Sequence, residues 1–209
     1  MINQSDAAID YQPVAVGRPP FRHRYEVFSP KLERRITLYS WDAVLVWTLI
    51  EGVPEITQFC ERPGLIQEQK HWRLADFWLE HTGHSEYWLL PDLNLPIIGS
   101  APRIDLDAAQ AIQRVVPDHL NQHAMFIRNW QSALPYVISN RRWISAQQCD
   151  RITTFCSDVQ MLVDIERSEL PADPVITRTV VFDLVRRGTL RSEDMACRPL
   201  SAASRFITA

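Results

Sequence analysis

The chain has 209 residues, 46% of them hydrophobic and 22% charged, with a formal net charge of −3. This composition excludes a disordered, collagen-like or coiled-coil chain, and the length suits one domain or one domain with a small module. Seven Trp and eight Phe supply a core that needs no disulfide or metal. Of the 22 basic residues only Lys31 and Lys70 are lysine; the others are arginine.

The longest apolar run, residues 43–50, ends at Glu51 and falls far short of the ~20 residues a membrane helix needs. The N-terminus is polar and acidic, without the basic-then-apolar order of a secretory signal. Cys60, Cys149, Cys156 and Cys197 form no CxxC pair, so reduced thiols in the cytoplasm are expected. Charge is uneven along the chain: residues 1–35 are basic, 36–100 are acidic and 101–209 are close to balanced. A nucleic-acid-binding domain usually carries a basic footprint, so DNA contact is expected from the flanks or from a partner protein.

Residues 1–20 lack apolar periodicity and read as a flexible arm ending in Gly17-Arg18-Pro19-Pro20. In the next segment Arg22, His23 and Arg24 lie between Phe21 and Tyr25, which fits either a phosphate backbone or a first strand with one solvated face. Residues 40–51 predict a helix capped by Ser40, with Asp42 in its first turn, ended by Gly52 and Pro54. Its apolar residues cover most of the circumference, so burial is expected. Strands are predicted at about Leu65–Gln69, His71–Glu80 and Ser85–Leu90, the last two joined by a hairpin loop containing Gly83. Helices are predicted at about Asp107–Arg114 and Phe126–Ile138, the latter kinked or ended by Pro135. From Ser145 the chain turns helical, with Ser145 and Gln148 spaced as a capping box. Another helix opens at Asp173-Pro174 and closes at Arg186-Arg187-Gly188, and a short one is predicted at Arg191–Ala196.

The run from Ser40 through Pro54-Glu55-Ile56, Phe59-Cys60-Glu61-Arg62-Pro63 and Ala75-Asp76-Phe77-Trp78-Leu79-Glu80 resembles the N-terminal endonuclease domain of the TnsA family. Val180–Leu184, Arg187-Gly188, Arg198–Ser201 and Arg205-Phe206 resemble the tail of short TnsA-like proteins, so the similarity spans roughly residues 21–209. Such proteins cut the 5′ ends of transposons. The resemblance implies an α/β fold: a restriction-endonuclease-like mixed sheet with flanking helices over residues 21–140. A small helical module with winged-helix or helix-turn-helix character would follow over residues 141–209.

The chemistry of that family needs a helix glutamate and a strand aspartate as hard oxygen ligands for Mg²⁺. On the next strand an acid or amide, one spacer and a lysine complete the site, the lysine stabilising charge on the reacting phosphate. Carried over, Asp76 matches the strand aspartate, although proline usually precedes it. The helix glutamate falls at or beside Ala43, with Asp42 the nearby carboxylate, and the acid-x-lysine positions fall on Leu89 and Pro91. No lysine follows Asp76 at all, and arginine differs from lysine in shape and hydration.

Rescue of the site would draw on Asp42 and Glu86, but Glu86 lies three residues before Leu89 and so on the opposite face of a regular strand. Glu68-Gln69-Lys70 has the right spelling but precedes Asp76, and reads as a hairpin edge with solvated charges. His119 and His123 have zinc-compatible spacing without a third ligand nearby, and His81 and His84 flank the hairpin glycine. Six scattered glycines form no phosphate-binding loop. Candidate DNA contacts are Arg22, Arg24, Arg178, Arg186, Arg187 and Arg191, with Arg198 and Arg205.

The expectation is a TnsA-like protein with a degenerate site, positioning DNA or scaffolding a transposition or mobile-element complex. By resemblance its partners would be a transposase or a regulatory ATPase. It would need no cofactor. The alternatives are an active divergent nuclease, using Mg²⁺ on Asp76, Asp42 and Glu86, and a protein-only adaptor.

Overall fold

The computed structural model describes residues 11–68, 70–91, 95–106 and 111–209. A hairpin of β1 (Tyr25–Ser29) and β2 (Arg34–Leu38) leads into α1 (Trp41–Gly52). Then follow β3 (Ile56–Glu61), the hairpin β4 (Leu65–Glu68) and β5 (His71–Leu74), and the hairpin β6 (Phe77–His81) and β7 (His84–Leu89). Two edge strands, β8 (Arg103–Ile104) and β9 (Ala111–Arg114), complete this half. The main sheet runs β3-β6-β7-β9, antiparallel except that β9 lies parallel to β7, and a smaller sheet runs β5-β4-β8. The chain is thus mixed α/β.

Two expectations change here. The predicted strand over His71–Glu80 is broken at Ala75-Asp76, where the chain leaves the small sheet and enters the large one. Ala75 N donates to Gly64 O at 3.0 Å and Asp76 N to Trp88 O at 3.2 Å. In the predicted helix over Asp107–Arg114, residues 111–114 form β9 instead, while residues 107–110 lie outside the described residues. The open edge of β7 offers backbone partners to Ala111–Arg114, and tertiary pairing overrides weak local propensity.

Ser40 caps α1, its hydroxyl accepting from Ala43 N at 3.0 Å, and the helix is buried on almost all sides although Trp41 remains half exposed. Gly52 is the last helical residue, and its role is close packing rather than an unusual backbone angle. A Cβ there would stand 2.4 Å from the Trp130 ring.

The second half comprises α2 (Pro117–Gln122), α3 (Ala124–Asn140), a 3₁₀ turn (Arg141–Trp143) and α4 (Ala146–Phe155). It continues with β10 (Gln160–Met161), α5 (Leu162–Ser168), α6 (Pro174–Arg186), β11 (Leu190–Arg191), α7 (Asp194–Cys197) and β12 (Arg205–Thr208). Strand β12 lies between β10 and β11, antiparallel to both. Helix α3 runs through Pro135 without ending, because Trp130, Leu134 and Val137 anchor both sides of the proline in the core. Ser145 caps α4 through Gln148 N, but the Gln148 side chain donates to Thr177 rather than back to the cap. Asp173 caps α6 as the sequence predicts, accepting from Val175 N at 2.8 Å.

One buried cluster extends from Ile36 and Leu38 through α1 and α3 to Val180 and Phe206, so the two expected segments share a core. A second, smaller cluster on the other face of the sheet holds Cys60, Ile66, Trp78, Tyr87 and Leu89. The arm expected to be flexible is docked where it is described. Tyr11 Oη lies 2.6 Å from Tyr87 Oη, Val14 N donates to Arg62 O at 2.8 Å, and Val16 bridges to Ile97. Residues 1–10 lie outside the described residues. Among the described residues, no helix is long and apolar enough to cross a membrane.

A buried polar knot ties the β1–β2 turn to the end of α1. Glu51 accepts from the Ser29 hydroxyl, from Trp47 Nε1 at 3.1 Å and from Lys31 N at 3.2 Å. The Lys31 ammonium donates to Val53 O and Ile56 O, each at 2.5 Å. Burial brings the Lys31 ammonium down to about 8 and pushes the Glu51 carboxyl up. Lys31 therefore closes helix α1 rather than serving any exposed site.

Substituting Gly52→Ala would force its methyl into the Trp130 indole within a packed core. The expected loss is about 2 kcal/mol of stability or more, read as a lower urea midpoint at an unchanged slope.

Candidate functional site

Asp76 sits at the junction where β5 hands over to β6, at the open mouth of the β6–β7 hairpin. The register pairs Phe77 with Trp88, so the next step outward, toward the mouth, sets Asp76 beside Leu89. The Asp76 carboxylate accepts from Leu90 N at 2.8 Å and from the Arg73 guanidinium at 3.3 Å. Its backbone carbonyl accepts from Arg62 N at 2.9 Å.

Arg73 is the centre of this arrangement. Its guanidinium donates to Leu90 O and lies 3.7 Å from Glu68, so it bridges two carboxylates from different hairpins. Arg114, from β9, pairs with Glu68 from the other side. The Arg73, Glu68 and Asp76 side chains are each at most one-fifth exposed. Two carboxylates facing a shared cation is the electrostatic arrangement that a divalent metal would otherwise satisfy. Here a guanidinium satisfies it, with directional hydrogen bonds in place of coordination.

Arg62 forms a second internal cation close by. It pairs loosely with Glu61 at 3.8 Å, donates to Thr37 O at 2.7 Å and to Val14 O at 3.3 Å, and lies over the Tyr39 ring. Burial lowers its guanidinium from the ordinary value. Glu61, buried to 2% exposure, is held on the other side by Arg34 in a two-pronged pair at 2.7 and 2.6 Å. The Glu61-Arg62 pair that carries part of the family resemblance thus pins β2 and the N-terminal arm around Asp76.

The other carboxylates in question lie elsewhere. Glu86 bonds His81 Nε2 at 3.0 Å at the far end of the hairpin. It is four residues from Leu90, or about 13 Å along the strand. Leu89 packs in the second core cluster and Trp88 in the first, so Glu86, in phase with Trp88, lies on the face opposite Leu89. Asp42 remains in the first turn of α1, whose body packs into the first cluster. Among the described residues, no three His, Cys, Asp or Glu side chains form a group able to hold a metal ion. The convergence of Asp76, Asp42 and Glu86 that an active site would need is therefore not formed.

Glu68 corrects another expectation. It is not a solvated hairpin-edge charge but an internal, doubly paired carboxylate; Lys70, two residues on, is exposed in the turn, and Gln69 lies outside the described residues. The His81 and His84 rings stack at 4.5 Å across a turn in which Gly83 adopts φ +95°. His119 and His123 also meet, at 5.2 Å between centroids, and His119 bonds Gln113 at 3.1 Å. Partial burial and the neighbouring His119 lower the His123 imidazole from its ordinary value.

Most of the candidate DNA-contacting arginines are held in ion pairs. Arg24 pairs with Glu26, Arg178 with Glu166 at 2.5 Å, and Arg186 and Arg187 both with the buried Asp183. Arg205 grips Asp194, and Arg198 lies 4.0 Å from it. Arg22 and Arg191 are exposed and have no ion-pair partner among the described residues. Sequence reasoning misses Arg73 and Arg114, leaves Arg62 without a role and takes Glu68 for a solvated edge charge. The available signal was Arg73 itself, three residues before Asp76 in a segment otherwise poor in cations.

No family model matches the chain, and no curated protein matches it significantly.

Replacing Asp76 by alanine would strip Leu90 N and Arg73 of a charged acceptor at a largely buried junction. The expected cost is about 2 kcal/mol in urea unfolding, with Asp76→Asn losing less because the amide oxygen still accepts from Leu90 N.

Proposed function

We propose that this protein is a TnsA-like pseudo-nuclease of the cytoplasm, retained as a DNA-positioning or scaffolding component of a transposition or mobile-element complex. Its partners in this reading are a transposase or a regulatory ATPase. The observation that carries the loss of chemistry is the Arg73 guanidinium between Glu68 and Asp76. Hydrolysis of a phosphodiester in this family's manner needs Asp76 to hold Mg²⁺ and a lysine on the following strand to support the attacking water. Arg73 occupies the carboxylate that would bind the metal, and Leu89 and Pro91 stand where the acid and lysine would be. Mg²⁺ would have to displace a buried, hydrogen-bonded cation to enter.

The arrangement of elements supports the family reading. Helix α1 precedes an antiparallel β3-β6-β7 set, and the aspartate opens β6 with the next strand directly beside it. In the second half the order α4, β10, α5, α6, β11, α7, β12, with β12 central in its sheet, supports a winged-helix reading in which α7 is inserted before the last strand. Helix α6 takes the place of the DNA-reading helix, but eight of its residues are buried. The segment between β11 and β12 is held to α3 by Asn129, which donates to Met195 O and Arg198 O and accepts from Leu200 N. A module with its reading helix and wing packed inward is suited to holding a fold together. The pairing of Arg178, Arg186 and Arg187 accordingly favours protein contact for this half.

Incubating the purified protein with supercoiled plasmid and Mg²⁺ or Mn²⁺ tests the proposal. The plasmid is expected to stay intact; metal-dependent nicking that disappears in Asp76→Ala would overturn it.

A further inference from the structure

The outer face of the β1–β2 hairpin carries cations and rings that play no part in the Asp76 site. The register sets Phe28 opposite Arg35, so the two side chains share one face, while Ile36 and Leu38 on the other face are buried. Arg141, on the 3₁₀ turn after α3, lays its guanidinium 4.1 Å from the Phe28 ring centre and donates to Ile138 O at 2.6 Å. This contact joins the turn to the hairpin. Arg142 lies 5.0 Å from the Trp143 ring centre, and that indole is 59% exposed. Arg35, Arg141 and Arg142 have no ion-pair partner among the described residues, unlike most of the arginines on α6 and β12. The nearest acid on the same face of the hairpin, Glu26, is already paired with Arg24.

Unpaired guanidinium groups beside an open indole match a polymer that alternates phosphate with flat, unpaired bases. A duplex offers phosphates to the arginines but keeps its base faces stacked inside. An acidic peptide would meet the charges without needing the ring. We propose that this face binds a single-stranded stretch of nucleic acid, with Arg35 and Arg142 on phosphates and Trp143 stacking on a base. Arg141 is a positioning residue, holding the turn against Phe28. The assignment deepens the DNA-positioning reading and rests on it for the presence of nucleic acid, but moves the contact away from the C-terminal arginines.

Fluorescence anisotropy with labelled fifteen-nucleotide oligo-dT, oligo-U and a duplex of equal length, titrated at several salt concentrations, tests this. Wild type is expected to bind an oligonucleotide more tightly than the duplex, and the preferred oligomer identifies the polymer. The double variant Arg35→Ala, Arg142→Ala should lose at least tenfold in affinity. The slope of log affinity against log salt should flatten by about 1.4, near 0.7 for each lost phosphate contact. Trp143→Ala should lose about tenfold and Trp143→Phe most of that loss regained, with unfolding midpoints unchanged. Arg167→Ala, an exposed arginine on α5, serves as control and should bind as wild type. Duplex binding that equals or exceeds oligonucleotide binding and ignores Trp143→Ala would overturn this assignment while leaving a DNA-positioning role standing. No binding to any of the three at low salt would overturn both.

Discussion

The junction between the two sheets depends on one guanidinium. Arg73 leaves the β5 strand and reaches Glu68 behind it, Asp76 ahead of it and the carbonyl of Leu90 across the hairpin mouth. Without that cation, two largely buried carboxylates would face each other at the point where the chain crosses from one sheet to the next. Like charges brought together in a low-dielectric setting are costly. The same interaction fixes the hairpin mouth and places a guanidinium against the Asp76 carboxylate.

The scarcity of lysine fits this pattern. Arginine forms planar, two-pronged pairs with carboxylates and tolerates burial better than an ammonium. Arg34 on Glu61, Arg151 on Glu169 and Arg205 on Asp194 use that geometry to join separate elements, and Arg62 instead donates to the backbone carbonyls of Thr37 and Val14. Lys31 is the exception, a buried ammonium whose donors close the carbonyl end of α1. Twelve of the twenty arginines make ion pairs among the described residues, so much of the arginine content serves internal cross-linking.

What the sequence made legible were the features governed by local rules. The Ser40, Ser145 and Asp173 caps and the glycine turn between His81 and His84 depend on residues within four positions of each other, and the buried character of α1 on the apolar pattern of one helix. Features set by distant partners were not legible. The break at Ala75-Asp76 follows from a switch between sheets, and β9 replaces the end of a predicted helix because β7 has a free edge. By local rules Gly52 reads as a helix stop, whereas its constraint is Trp130, 78 residues away. Around Asp76 the alternation of β7 sets Glu86 on the face opposite Leu89, as the two core clusters bear out. The identity of the cation beside Asp76 was hidden, since Arg73 lies before the aspartate on a strand that the sequence joins to β6 without interruption.

The central claim is that a side-chain cation stands in the place of a metal at Asp76. Manganese titration followed by electron paramagnetic resonance addresses it without relying on activity. The account predicts that the free Mn²⁺ signal in the presence of wild-type protein matches that with Asp76→Asn, with no stoichiometric site in either. Stoichiometric Mn²⁺ uptake by the wild type that is abolished in Asp76→Asn would contradict it.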